Sequence, residues 1–376
     1  MTVAATAVRE ATADELGDWD AHTVHLPGGD VYQSRAWADY QAEHGWRARF
    51  LVDESGGHVL ALERPWRLIR GGTAYVPRGP IAGTDPPERL ADRIRAVSDY
   101  LAGHGIAALT SDAEIRAETG YGLLLRQRGF RPTEEIQPSR HRLSVPLADG
   151  ASDEASLAKL TMSARQRVRG AIKRELRVVR YDTSPSAPEL PLERPPGGLD
   201  AKSLAQPFDR FYELLLETAQ RRGFRMVSRE RFRDWSTRAV LGGLAMFLEV
   251  RAPDGRLLGG GLFYRHGRRL TYSNAGDLAA HRREFPGVIH LLLWRAIQLA
   301  IAEGLDEVDL GGVDVKGARR RPVEGEAMHG LLSFKESFGG QWIELAGNHI
   351  RVAHRLPYYI GSASSRLFSL VGRRAG

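Results

Sequence analysis

The residues best suited to carry out chemistry lie in the segment from Asp309 to Gly340. This segment contains the end of an apolar strand, a glycine pair, a basic loop and a short aromatic helix that carries one lysine, Lys335. A pair such as Gly311-Gly312 lets the backbone turn sharply or approach a ligand closely. The loop carries four cations that suit the phosphates of an anionic partner, namely Lys316, Arg319, Arg320 and Arg321.

A second cluster of positive charge lies between Met162 and Arg180, and the sequence predicts one helix there. Its apolar stripe has four-residue spacing and consists of Ala164, Val168, Ile172 and Leu176. Three cations, Arg165, Arg169 and Lys173, follow at the same spacing. Like charges one turn apart repel each other in solvent, so an anion lying across them would stabilise the helix. A solvated helix face without a partner is the alternative.

The composition limits the classes of reaction. The net charge of +7 favours an anionic partner such as nucleic acid, phospholipid or a diphosphate, although a GC-rich genome also produces arginine-rich proteins. The absence of cysteine excludes thiol catalysis, disulfides and cysteine-ligated zinc. No Ser-His-Asp order and no HExxH spacing is present, so covalent and metal mechanisms have no support. We therefore expect no metal and no organic cofactor.

The ends of the chain bear on its location. The first twenty residues are acidic and alanine-rich without an apolar core, and no apolar run reaches the roughly 18 residues of a membrane span, so we expect a cytoplasmic protein. Residues 356–374 form a basic amphipathic tail. Such a tail suits peripheral contact with an anionic membrane, or docking as a helix on the first domain.

The elements that position these residues read as mixed α and β structure, and one unit is present twice. The apolar helix 288–301 stops at Gly304, and a strand at 307–310 and the segment HGLLSFKESF follow. In the first half a helix stops at Gly105, and a strand at 106–110 and YGLLLRQRGF follow, with Gln127 in the place of Lys335. Only the second copy has the lysine and the basic loop. This pattern predicts a duplicated α/β fold whose second half is specialised.

Several further segments read as strands or loops. Alternating or apolar runs predict strands at 47–52, 58–68 and 73–76 in the first half, and at 244–250, 257–265 and 270–274 in the second. The run 141–145 is predicted as the last strand of the first unit. Five prolines without periodicity predict a mobile surface loop at 183–198.

Four ordered motifs give the chain a resemblance to the FemABX family. They are VYQSRAWADYQAEHGW at 31–46, FYELLLETAQRRGF at 211–224, the strand end DLGGVD at 309–314 and FKESFGG at 334–340. The resemblance implies two tandem acyltransferase domains of the GNAT type. It places residues 1–148 with 347–376 in a first domain on the acceptor side and 149–346 in a second, catalytic domain. Family members transfer amino acids from aminoacyl-tRNA to the stem peptide of the peptidoglycan precursor, either lipid II or UDP-MurNAc-pentapeptide.

The resemblance also implies roles for individual residues. When a free amine attacks the aminoacyl ester, negative charge grows on the carbonyl oxygen, and Lys335 is the cation expected to stabilise it. Phe334 is expected to pack against the acceptor or the terminal adenosine. The basic loop and the basic helix are expected to contact tRNA phosphates without reading bases.

The same resemblance implies an acceptor site. Arg221 is expected to contact precursor phosphates, although a basic residue in a last helical turn also suits the helix dipole. Tyr272 is the candidate tyrosine near the acceptor, with a core tyrosine as the alternative. Trp37 and Gln41 lie on the corresponding first-domain helix, where family members often have lysine in place of Gln41. Asp112 ends a strand where the family usually reads Asp-Pro, and either holds a substrate amine or caps the loop.

Three other functions remain open. The departures at Gln41 and Asp112 favour transfer from tRNA to a small-molecule or antibiotic amine over what the family alone suggests. A GNAT-type transferase that uses acyl-CoA is a second alternative, but Pro286 lacks an N–H and leaves a poor cradle for a pyrophosphate. A non-catalytic tRNA or precursor binding protein is the third, and the presence of Lys335 argues against it.

Overall fold

The computed structural model describes residues 7–66, 69–136, 140–147, 152–185, 190–222, 226–313 and 320–372, with the side chains of 221–222 and 364–372 excepted. The chain divides into two compact units. The first consists of Met1–Arg140 with Glu344–Gly376, and the second of His141–Ile343. Within the described residues, every helix is too short or too polar to cross a membrane.

The described residues form β-strands in both units. They are β1 (Val8–Glu10), β2 (Arg47–Asp53), β3 (His58–Pro65), β4 (Gly72–Val76), β5 (Ile106–Ser111), β6 (Arg131–Pro132), β7 (His141–Pro146), β8 (Arg177–Tyr181), β9 (Ala245–Arg251), β10 (Leu257–His266), β11 (Arg269–Asp277), β12 (Glu307–Asp309), β13 (Gln341–Glu344) and β14 (His349–Val352).

The α-helices follow the same order. They are α1 (Ala13–Gly17), α2 (Trp19–Thr23), α3 (Arg35–Ala42), α4 (Pro87–Gly103), α5 (Tyr121–Gln127), α6 (Asp153–Lys159), α7 (Met162–Lys173), α8 (Ala201–Arg222), α9 (Arg229–Leu241), α10 (Val288–Ala302), α11 (His329–Glu336) and α12 (Arg355–Gly372).

Each unit contains one mixed sheet, and the two sheets have the same topology. The first runs β1-β2-β3-β4-β5-β14-β6 and the second runs β8-β9-β10-β11-β12-β7-β13. In both, three antiparallel pairings are followed by one parallel pairing, β4 with β5 and β11 with β12. A long helix connects each parallel pair, α4 in the first unit and α10 in the second. The duplication expected from the sequence therefore extends to the whole sheet.

The expectation that 141–145 ends the first unit was wrong. This strand, β7, pairs antiparallel with β12 in the second sheet, with Val145 opposite Val308. Conversely β14, near the end of the chain, pairs with β5 and β6 in the first sheet. Because the repeats share one strand pattern, either strand fits either sheet by periodicity, and the sequence alone does not decide between them. We call this arrangement the strand exchange.

The basic helix is shorter than expected. Helix α7 begins where the Thr161 hydroxyl accepts the Ala164 N–H at 3.4 Å, and it ends at Lys173. Glu175 has a φ of 56°, a left-handed conformation that stops the helix. The expected stripe therefore breaks, since Leu176 lies beyond the helix and Ile172 is exposed. Arg180, expected at the helix end, is in β8 and buried.

The second unit is built around α10. Nearly all of its residues are buried, as the sequence predicts for a helix that is apolar all round. It packs beside α7 and against strands β9, β10 and β11. The helix stops at Ala302, and Gly304 supplies the left-handed turn, with a φ of 65°, that leads into β12.

Candidate active site

The position of Lys335 is defined by the glycine pair after β12. Lys335 is buried, with 4% of its surface exposed, and its Nζ donates a hydrogen bond to the Gly312 carbonyl at 2.8 Å. The turn that presents this carbonyl is fixed by Asp309, whose carboxylate accepts the Gly311 N–H at 2.7 Å. Gly311 has a φ of 70°, which favours glycine. The strand end, the glycines and the lysine thus form one cluster.

Tyr272 belongs to the same cluster through its backbone. A Cβ atom built on Gly311 would lie 3.3 Å from the Tyr272 carbonyl oxygen and 3.7 Å from Lys335 Nζ. The Tyr272 side chain is half-buried and packs against Phe263, with ring centres 5.5 Å apart. The structure therefore brings two of the expected site residues, Lys335 and Tyr272, to the same place on the second sheet.

Phe334 connects α11 to the start of α10. Its ring lies edge-on to His290, with centres 5.0 Å apart, and 5.5 Å from the ring of Phe338. His290 lies in the first turn of α10, and burial, helped by the positive charge of Arg167 on α7, lowers its pKa to about 4. The charge of the basic helix therefore acts on His290, and the ring of His290 contacts Phe334, the neighbour of Lys335.

His141 is a site residue that the sequence analysis did not find. Its Nε2 accepts the Val313 N–H at 2.7 Å, and its ring stacks on Trp342 with centres 3.8 Å apart. Its Nδ1 is buried and has no hydrogen-bond partner in the described part of the chain. Burial, helped by the charge of Lys335, lowers its pKa to about 4. His141 is therefore neutral at pH 7, holds the segment after Gly312, and adds no charge beside the lysine. The sequence did not reveal this role, because the strand that carries His141 was predicted to belong to the first unit.

We expect the two histidines to make stability depend on pH. An unfolded histidine has a pKa near 6.5, so between about pH 6.5 and 4 the unfolded chain binds protons that the folded chain does not. The free energy of unfolding should be constant above pH 6.5 and fall below it, by at most about 1.4 kcal/mol per pH unit for each histidine. Urea denaturation at several pH values measures this slope. His141→Gln should reduce it, whereas the exposed His25→Gln should not, and an unchanged slope in H141Q would refute the assignment.

The expected tRNA contacts are only partly described. On α7, Arg165 is half-buried, Arg169 and Lys173 are exposed, and none of the three forms an ion pair with another described residue. In the basic loop Arg320 is paired with Glu326 and Arg321 with Glu336, so nearby carboxylates balance both charges. Lys316 and Arg319 lie outside the described residues, as does the side chain of Arg221 at the end of α8.

The chain is similar to several known proteins. A family model described as an acetyltransferase (GNAT) domain matches residues 162–320. The UDP-N-acetylmuramoylpentapeptide-lysine N(6)-alanyltransferase of Weissella viridescens is 24% identical over 306 residues, which are 77% of this chain and 81% of that protein. The crystal structure of FemX superposes with a TM-score of 0.73 at 17% identity, covering 94% of this chain and 99% of that one. The chain is therefore similar to Fem-type aminoacyltransferases, and it has the tandem GNAT fold of FemX.

A more distant structure shares the fold of this chain over nearly its full length. It is L-PGS from Bacillus licheniformis, with a TM-score of 0.54, 11% identity, and coverage of 98% of this chain and 99% of its own. The recognition of the FemABX family, the mixed α/β fold with two tandem GNAT-like domains, and the enzyme class expected from the sequence are therefore confirmed.

In the first unit, the expected acceptor residues lie in two different places, on helix α3 and after strand β5. Trp37 is half-buried on α3 between Tyr32 and Tyr40, with ring centres 4.7 and 5.3 Å away. Gln41 is half-buried in the last turn of the same helix.

Asp112 follows β5 and is 2% exposed. Its carboxylate accepts the Tyr75 hydroxyl at 2.8 Å and the Arg78 N–H at 2.6 Å. Burial raises its pKa, while the nearby charge and N–H of Arg78 act in the opposite direction. These contacts are the ones that a loop cap makes.

Proposed function

We propose that the chain transfers an aminoacyl group from aminoacyl-tRNA to the stem-peptide amine of a peptidoglycan precursor. The observation that carries this proposal is the buried ammonium group of Lys335, held at the Gly312 carbonyl beside the β11 strand that bears Tyr272. The similarity to an alanyltransferase that acts on UDP-N-acetylmuramoylpentapeptide supports the choice of acceptor.

In the proposed reaction the precursor amine attacks the ester carbonyl of the aminoacyl-tRNA. A C–N bond forms, the ester C–O bond breaks, and the amine proton passes to the ribose oxygen that leaves. Negative charge develops on the carbonyl oxygen in between, and Lys335 donates to it. Because α11 and the Gly312 carbonyl fix the ammonium group before substrate binds, little reorganisation is required, and such preorganised donors stabilise transition states most effectively.

We assign the donor side to the second unit and the acceptor side to the first. The unpaired cations of α7, together with Lys316 and Arg319, are suited to the phosphates of the tRNA acceptor end. Helix α7 packs beside α10, on which the ring of His290 contacts Phe334. Trp37 and Gln41 of the first unit are proposed to contact the precursor, and so are Arg221 and Tyr272 of the second, whereas Asp112 caps its loop.

An acyl-CoA donor is less well supported by the geometry of α10. Its N-terminal residue, Gly287, has a left-handed φ of 92°, and Pro286 before it offers no N–H. A Cβ atom on Gly287 would lie only 2.6 Å from the Arg167 carbonyl oxygen, so the backbone of α7 covers this end of the helix. A carbonyl oxygen repels a pyrophosphate.

The function is tested with the purified protein, a mixed pool of charged tRNAs, and UDP-linked or lipid-linked muramyl pentapeptide. Mass spectrometry should show one added residue on the peptide, lost after ribonuclease treatment, and the mass gain identifies the amino acid. Acylation by acetyl-CoA without tRNA would contradict the proposal. Deacylation of one charged tRNA without any gain on either precursor would select the alternative of a small-molecule or antibiotic amine, which Gln41 and Asp112 favour. Binding without turnover of any donor would select the non-catalytic binding protein.

We also propose that the protein works in the cytoplasm at the inner face of the membrane, where lipid-linked precursor is found. Helix α12 exposes three large apolar side chains on adjacent turns, Leu356 (71%), Tyr359 (63%) and Ile360 (49%). Arginines 366, 373 and 374 follow in the sequence. Apolar side chains beside basic ones suit an anionic interface.

We expect the protein to co-sediment with phosphatidylglycerol vesicles and much less with phosphatidylcholine vesicles. Replacing Leu356 and Ile360 with serine should lower the partition coefficient by at least about tenfold, since each side chain contributes roughly 1 kcal/mol or more when buried. Leu123→Ser is the matched control, because this leucine on α5 is 54% exposed, between the values for Leu356 and Ile360. Equal loss in the control, or no preference for anionic vesicles, would contradict a membrane role for α12.

A further inference from the structure

The second unit has a cavity that shares no lining residue with the Lys335 cluster. Its volume is about 460 Å³, within the roughly 300–1,000 Å³ typical of small-molecule sites. The wall is mostly aliphatic and comes from the end of α7, strand β8 and the segment 190–193. The lining side chains include Ile172, Leu176, Val178, Leu190, Leu192 and Arg295.

Arg295 is the polar group in this apolar wall that calls for a partner. It lies on α10, about two turns beyond Gly287, and only 7% of its surface is exposed. Its Nη1 donates to Gln298 Oε1 at 2.6 Å, whereas its Nε is buried and makes no hydrogen bond to any residue that the structure describes. A buried N–H of a charged group without an acceptor costs free energy, because it has lost its hydration.

The surrounding acids do not neutralise this guanidinium group directly. The charge of Asp153 attracts it, but the Asp153 carboxylate accepts its hydrogen bond from Gln298 and forms no ion pair with Arg295. Glu193 at the rim pairs with Arg177 at 3.4 Å, and the exposed Glu175 forms no ion pair with another described residue. Burial accordingly lowers the pKa of Arg295. An anion placed in the cavity would therefore meet a desolvated cation.

We propose that this cavity binds an amphipathic carboxylate, whose apolar body lies against the aliphatic wall and whose carboxylate pairs with the buried guanidinium group of Arg295. The site does not depend on the proposed aminoacyl transfer, because none of its side chains belongs to the Lys335 cluster. It is also distinct from the α10 N-terminus, where an acyl-CoA pyrophosphate would be expected. A medium-chain alkyl carboxylate has the required combination of one anionic end and an unbranched apolar body.

The test is isothermal titration of the full chain with sodium octanoate, compared with octan-1-ol and octylamine. Octanoate should bind at one site, and the alcohol and the amine at least about tenfold more weakly, because a hydrogen bond to a charged group is worth roughly 1.5–3 kcal/mol. Arg295→Gln keeps a donor near Gln298 but removes the charge, and should weaken octanoate binding by about tenfold or more. The exposed Arg256, which does not line the cavity, provides the matched control, Arg256→Gln, which should bind octanoate within about twofold of the wild type.

A second variant guards against misfolding of R295Q. Leu192→Trp lies on the partly exposed segment that closes the cavity, leaves Arg295 intact, and should abolish octanoate binding by filling the space. The proposal is overturned if octanol binds as tightly as octanoate, if R295Q and L192W both bind like the wild type, or if octanoate does not bind the wild-type protein at all.

Discussion

Replacing Lys335 with methionine is expected to lower kcat for aminoacyl transfer by about 10²–10³-fold, the usual effect of removing one preorganised oxyanion donor. Methionine has a similar length, so the buried site beside Gly312 stays filled while the charge and its N–H donors disappear. KM for the precursor should change little, because the proposed contact forms mainly in the transition state. Single-turnover rates with saturating aminoacyl-tRNA and precursor measure the effect.

Two further variants make this result specific. Gln127→Met changes the equivalent position of α5 in the first unit and should leave kcat within about twofold of the wild type. Lys335→Arg keeps the charge but not the geometry, so it should recover part of the rate. A K335M protein that is folded and transfers at the wild-type rate would remove Lys335 from the mechanism, whatever the nature of the donor.

The second large effect concerns stability, and it comes from the charge cluster that connects β8 with the end of α10. Arg180 is 1% exposed and pairs with Asp182 at 2.7 Å and with Glu303 at 2.9 Å. Asp182 is itself 1% exposed. Arg180→Met should lower the free energy of unfolding by about 3 kcal/mol, near the lower end for a broken buried pair, because Arg265 still contacts both carboxylates.

Urea denaturation followed by circular dichroism provides the measurement. Arg177→Met, on the same strand but exposed and paired with the exposed Glu193, should cost less than about 1 kcal/mol. Adding Asp182→Asn to R180M should restore part of the loss by removing the charge left behind. If R180M and R177M are equally stable, the cluster does not contribute to stability in this way.

Periodicity predicted single elements well and long-range partners poorly. The all-round apolar pattern of 288–301 was enough to predict that α10 is buried. The apolar stripe through Leu176 predicted a basic helix that is too long. The residue type of Glu175 does not predict its left-handed backbone conformation, which ends the helix. The partner of β7 could not be predicted, since its alternation suits the edge of β5 as well as that of β12.

The candidate site shows the same limit. The pair Gly311-Gly312 predicted a tight turn. The hydrogen bond from Lys335 to the Gly312 carbonyl could not be predicted, because it depends on how β12 and α11 pack. Lys335 was chosen because of a family resemblance, not because of spacing. His141 lies in an ordinary strand, so nothing in the sequence marks it. Arg295 is visible as a charge within an apolar helix, but the sequence does not show which residues surround it. Their importance follows from what surrounds them after folding.

The strand exchange determines when each sheet can be completed during synthesis. In the first sheet β14 lies between β5 and β6, and β14 is synthesised after both repeats. Until then β5 presents an unpaired edge, a surface prone to incorrect pairing. The second sheet has its borrowed strand, β7, available from the start. The second unit of the nascent chain can therefore reach its final structure before the unit that begins at the N-terminus.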